Sequence, residues 1–95
     1  MAVYFTSEQL TKSDPDLVKR FTEAMAESLA YADSHPDEAR KVLTSYTQID
    51  EAVIPDLTLP KWPAEINRES VDTLATLAVQ DGLVEKQPDV DALLP

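Results

Sequence analysis

The sequence predicts an all-α domain of about four or five helices. Three observations carry this. Gly82 is the only glycine in 95 residues, and tight hairpins and phosphate-cradling loops both depend on glycine. The seven prolines punctuate the chain instead, as breaks between helical segments. Between the breaks, apolar residues recur at i, i+3, i+4 and i+7, the spacing of one helix face.

Val3–Tyr4–Phe5 has strand-like composition and makes a strand stub at most. Thr6–Ser7–Glu8–Gln9–Leu10 reads as a helix start, with Thr6 as N-cap, Gln9 completing a capping box, and Phe5 and Leu10 placed as a hydrophobic staple. Asp14–Pro15 stops this helix and opens the longest one, with Asp14 as cap and Pro15 in the first position. Leu17, Val18, Phe21, Met25, Leu29 and Ala32 form its stripe, with Lys19, Arg20, Glu23 and Glu27 opposite. Ser34–His35–Pro36–Asp37–Glu38 repeats the device, with acid in the first turn where the helix dipole favours it. Ala39, Val42, Leu43 and Tyr46 follow at helical spacing. So short a break predicts an antiparallel helix hairpin.

Asp50 is placed to cap a weaker helix through Val53 and Ile54. Leu59 to Ala64 is extended, stiffened by Pro60 and Pro63. Asn67 caps the last long helix, with Ile66 and Val71 as a staple. Its stripe is Val71, Leu74, Ala75 and Ala78, widened by Leu77. Gly82 sits where a left-handed C-terminal stop is required, with Leu83 able to fold back over the last turn. Pro88–Asp89 starts a final turn carrying Val90, Leu93 and Leu94. The whole reads as one helical domain over residues 1–95, with no internal repeat.

Eighteen acidic and eight basic residues give a net charge of −10. They form no like-charge run, so the acid is a solvated surface, and nucleic acid or an anionic membrane would be repelled. There is no cysteine, which excludes disulfides, thiol catalysis and thiolate metal sites. No apolar run approaches the ~18 residues of a membrane span, and the start lacks the basic-then-apolar pattern of a leader.

Catalytic chemistry is not assembled. His35 is the only histidine, so a histidine-based metal set is impossible, and no serine lies in an elbow sequence that would pair with it. The carboxylate pairs Asp14/Asp16, Asp37/Glu38 and Asp89/Asp91 lie at helix starts, where capping and the dipole explain them. No Ca²⁺ loop pattern is present. Lys19–Glu23, Asp37–Lys41 and Arg68–Asp72 are spaced as helix-surface ion pairs. Trp62, between prolines on a loop, is the side chain best suited to a ligand wall or an interface anchor, although packing onto neighbouring helices explains it as well.

Val3–Tyr4–Phe5–Thr6–Ser7–Glu8–Gln9–Leu10, followed by Asp14–Pro15–Asp16–Leu17–Val18–Lys19–Arg20–Phe21, resembles the late part of ABC-transporter substrate-binding proteins of the nitrate/sulfonate/taurine type. These are related to proteins that handle the thiamine pyrimidine precursor. His35–Pro36–Asp37–Glu38–Ala39 is similar to the family's next helix start. The Leu59–Pro60–Lys61–Trp62–Pro63 loop, the helix to Gly82–Leu83 and the Pro88–Asp89 tail are similar to its C-terminus. The resemblance spans nearly the whole chain but only about the last third of a full receptor.

What the resemblance implies is a C-terminal portion of a two-lobed α/β receptor outside the cytoplasmic membrane. Such a receptor captures a small solute (a sulfonate, nitrate, taurine or a pyrimidine-like compound) and delivers it to an ABC permease, without a cofactor and without catalysis. The leader of such a parent is not in this chain. The family's main ligand-contacting loops lie outside the matched stretch, so Trp62, Tyr4, Thr6 and Ser7 are candidates only. Helices that pack on a sheet in the parent leave an apolar face open here, which predicts a homodimer. The alternative is a freestanding helical interaction module that buries its stripe against a partner helix. An enzyme of the pyrimidine-synthase relatives would require active-site residues that this stretch lacks.

Overall fold

A computed structural model describes residues 2–94. Among them are five α-helices, one 3₁₀ turn and no strand: α1 Glu8–Ser13, α2 Pro15–Ser34, α3 Pro36–Tyr46, the 3₁₀ turn Ile54–Asp56, α4 Arg68–Gln80 and α5 Val90–Leu93. The all-α prediction holds. The Val3–Tyr4–Phe5 stub has no strand to pair with among the described residues and takes no β structure. The chain divides into two compact units, Met1–Ala64 and Glu65–Pro95.

In the first unit, Ser7 and not Thr6 caps α1. Its Oγ accepts from the Leu10 N–H at 3.1 Å. This one-residue shift moves Gln9 out of the capping-box position, and Phe5 is left 90% exposed, so the expected staple does not form. Asp14 ends one helix and starts the next. Its N–H donates to the Leu10 carbonyl at 2.9 Å, while its carboxylate accepts from the Leu17 N–H at 3.0 Å. Pro15 then occupies the first turn of α2, where its missing N–H costs nothing.

A single residue, His35, joins α2 to α3. Antiparallel helix hairpins use about two to five residues, and the Tyr31–Glu38 hydrogen bond links α2 to α3 across this shorter joint. The α2 stripe faces inward only in part: Val18, Met25, Leu29 and Ala32 are half-buried, whereas Leu17 and Phe21 are exposed.

The segment capped by Asp50 is a 3₁₀ turn, not an α-helix. Asp50 Oδ1 accepts from the Ala52 N–H at 2.9 Å, and successive bonds run back three residues: Val53 to Asp50, Asp56 to Val53, Leu57 to Ile54. Pro55 lacks the N–H that an α-helical continuation would use. Ile54, 5% exposed, is the buried residue of this unit.

In the second unit, Asn67 caps α4 by accepting from the Ser70 N–H at 3.0 Å, and Asp89 caps α5 by accepting from the Ala92 N–H at 3.1 Å. The expected staple residue Ile66 stays exposed. Gly82 adopts φ +74°. The Leu83 N–H reaches the Ala78 carbonyl at 2.8 Å and the Gly82 N–H the Val79 carbonyl at 3.1 Å, which together form a Schellman motif. Leu83 nevertheless remains 79% exposed, so the backbone closes without the apolar fold-back. The covered face of α4 is Val71, Ala75, Ala78 and Val79, and Leu74 and Leu77 face solvent. Ala75 and Val90 are the buried residues of the unit.

Among the described residues only Ile54, Ala75 and Val90 are buried apolar side chains. No side chain among the described residues is fully buried. The polar caps of α1, α2, α4 and α5 form, while the apolar staples do not and the apolar faces are largely uncovered.

Candidate functional site

The loop that carries Trp62 is tied to α2 and α3. Arg40, on α3, donates from Nη2 to the Leu57 carbonyl at 3.3 Å and pairs with Asp37 one turn earlier at 3.7 Å. Asp37 therefore finds Arg40 rather than the Lys41 expected from spacing. The Arg40 Nε is buried without a hydrogen-bond partner among the described residues. Asp33, near the end of α2, accepts a long 3.5 Å hydrogen bond from the Trp62 backbone N–H. Two anchors thus hold the extended, proline-stiffened loop, and Trp62 is half-buried on it.

Beside these anchors, the α2–α3 joint carries a polar cluster. The Tyr31 hydroxyl donates to Glu38 Oε2 at 2.6 Å. The Tyr31 and His35 rings stack with centroids 3.9 Å apart and planes 9° apart. His35 Nδ1 lies 2.9 Å from both the Tyr31 carbonyl oxygen and the Ser34 hydroxyl. The Tyr31 phenol is held above its ordinary range, first by its hydrogen bond to Glu38, then by partial burial and the Glu38 charge.

The other candidates lie apart from this cluster. Tyr4 is 75% exposed and sets its ring edge-on to Phe21 at 5.7 Å. Thr6 is exposed. The Ser7 oxygen is taken up by the α1 cap, although its hydroxyl hydrogen remains available. No hydrogen bond or ring contact among the described residues joins Trp62 to Tyr4, Thr6 or Ser7. The concavities are shallow grooves along one helix face. One is lined by Ala24, Glu27, Ser28 and Tyr31 on α2, the other by residues of α4. Neither is the two-walled cleft that small-molecule sites use. No three metal-ligating side chains come together among the described residues, and no helix there is long and apolar enough to cross a membrane.

Sequence reasoning did not pair Tyr31 with Glu38, nor place Asp33 and Arg40 at the loop. A signal existed for the first two, which lie seven residues apart and so two turns along if α2 and α3 are read through Pro36. Nothing local marks Asp33 or Arg40, whose partners are 29 and 17 residues away.

Over residues 1–39 the chain is similar to the family described as NMT1/THI5 like. The match takes in α1, α2 and the first turn of α3, under half of the chain. It supports a relation to the substrate-binding family over that stretch. No curated protein and no solved structure matches the sequence.

Proposed function

We propose that this chain is part of an extracytoplasmic solute-binding component of an ABC importer, acting by binding and not by catalysis. Its solute is a small sulfonate, nitrate, taurine or a pyrimidine-like compound, and its macromolecular partner is the permease that receives it. The observation that carries this reading is the family match over residues 1–39. The residues that carried the resemblance there, Asp14–Pro15–Asp16 and His35–Pro36, stand at the starts of α2 and α3.

The shallow grooves on the chain support a division of labour. Trp62 and Tyr4 each leave ring surface free for a solute without meeting one another, and the opposing wall comes from elsewhere in a complete receptor. In isolation the chain pairs with itself through the apolar face of the first unit. Tyr4, Leu17 and Phe21 are exposed there, and the flanking charges cancel in the pairs Asp16–Arg20 and Lys19–Glu23.

Native mass spectrometry with and without nitrate, taurine, other sulfonates and pyrimidines tests the reading. A ligand-free dimer is the expected result. A ligand-bound monomer would show the chain to be a complete binding unit and overturn the division of labour. A monomer that binds none of these compounds would favour the interaction module, a reading supported by the open stripes of α2 and α4.

A further inference from the structure

The second unit carries an apolar strip that its own residues do not cover. Leu74 is 51% and Leu77 46% exposed on α4, and Leu83 is 79% and Val84 38% exposed just beyond it. Leu74 and Leu77 are one turn apart on neighbouring helix positions. The Schellman bond from Leu83 to Ala78 returns the chain to the same end of the helix. A shallow groove beside the strip follows α4 from Glu69 through Asp72, Thr73, Thr76 and Leu77 to Gln80. The hydroxyls of Thr73 and Thr76 are turned onto their own backbone, donating to the Glu69 and Asp72 carbonyls at 2.9 and 3.0 Å. Carboxylates and apolar groups are what remain for a partner.

The charge around this strip is one-sided. Residues 65–95 hold seven carboxylates and two cations. One cation, Arg68, is engaged by Asp72 and Asp91. Asp81 and Glu85 lie next to the strip in the chain, Glu69 lines the groove beside it, and none of the three forms an ion pair among the described residues. Asp81 sits at the C-terminal cap of α4, whose last turn has no basic residue. That end of a helix carries partial negative charge and is stabilised by cations. Here the chain adds Asp81 and Glu85 with only Lys86 beside them, so the place keeps an excess of negative charge. The second unit of another copy would bring the same excess of seven carboxylates over two cations.

We propose that this strip docks a basic amphipathic helix of a partner protein. Its apolar side rests on Leu74, Leu77, Leu83 and Val84, and its Lys or Arg side chains reach Glu69, Asp81, Glu85 and the α4 carboxyl end. This is the helix-in-groove mode of recognition, and the charges set its specificity and encounter rate. The proposal is independent of which solute the parent binds.

The probe is a synthetic Leu/Lys amphipathic peptide of roughly four helical turns, with a Leu/Glu peptide of the same pattern as control. The Leu/Lys peptide binds the chain, and its affinity falls about tenfold or more between low and moderate salt. Leu77→Glu, or Asp81→Lys with Glu85→Lys, weakens it by at least about tenfold. Asp16→Lys with Glu23→Lys, the same charge change in the first unit, leaves it within about twofold. Amide shift mapping on the unaltered chain places the perturbation within residues 69–85, a readout that needs no variant to fold. Absence of binding, equal binding of the Leu/Glu peptide, equal loss in the first-unit variant, or shifts spread along the chain would each overturn the proposal.

Discussion

The guanidinium of Arg68, in the first turn of α4, is hydrogen-bonded to the carboxylate of Asp91, in the first turn of α5. The bond spans 23 residues and ties the short α5 to the longer helix. Asp72 engages the same guanidinium at 3.7 Å. Arg68 is held in its charged form above the ordinary arginine range, chiefly by the Asp91 hydrogen bond. Asp91→Ala should release α5, which at four residues is far too short to persist alone. The check is amide exchange: protection at Leu93 and Leu94, which donate to Asp89 and Val90, should fall toward that of an unstructured chain. Unchanged protection would mean that Val90 burial alone holds α5 in place.

Ile54 is the buried side chain of the first unit, 5% exposed. Ile54→Ala should destabilise that unit by roughly 2–3 kcal/mol, the low end for core truncations, because so open a neighbourhood relaxes around the cavity. Urea unfolding followed by Trp62 fluorescence measures it. An exposed position such as Val42→Ala should stay within about 0.5 kcal/mol.

Gly82 has φ +74°, and a Cβ added there would meet nothing within 4 Å. The penalty of Gly82→Ala is therefore conformational and not steric, about 1–2 kcal/mol for a left-handed L-residue. Gly82→Asn should recover part of it, since Asn tolerates this region better. Thermal melts of the three forms should rank Gly, Asn, Ala.

The Tyr31 hydroxyl can donate to Glu38 only while it keeps its proton. Its ionisation is raised above the ordinary value of 10.0, so the folded state favours the protonated phenol. The resulting stabilisation is fully present below the unfolded-state value and is lost as pH rises through the higher folded-state value. In an alkaline absorbance titration Tyr31 should ionise at higher pH in the intact chain than in Glu38→Gln, which removes the charge. A coincident titration in both forms would mean that the bond does not persist in solution.

The parts of the fold that were legible in the sequence are those whose causes are local. Asp14, Asn67 and Asp89 each accept from an N–H three residues on, so a short window contains both partners. Gly82 likewise announces a backbone requirement that no other residue type meets as easily. The α1 start was displaced by one residue because Thr6 and Ser7 are adjacent hydroxyls with the same capping chemistry, and periodicity does not separate them. The α4 stripe was read by hydrophobicity, which ranks Leu74 and Leu77 above Ala75. The structure covers the smaller residue, as helices do where they approach closely. Least legible was what surrounds the candidate loop. Asp33 reaches Trp62 and Arg40 reaches Leu57 across a chain reversal, and pairing at such separations leaves no periodic trace. Tyr4, Thr6, Ser7 and Trp62 were chosen by residue type, and geometry gives no sign that they form one site.

The sparse burial within each unit also shapes how the protein should respond to denaturants and heat. Little apolar surface is fully covered within either unit, so both the denaturant slope and the heat-capacity change should be smaller than for a densely packed domain of this length, and melting should be broad. A binder that covers the open faces of the folded chain alters this by mass action. Ligand at a hundred times its dissociation constant adds about 2.7 kcal/mol, a sizeable increment for so thin a core. Sharpening of the melt thus serves as an assay: a partner for these helices reveals itself by the cooperativity it confers.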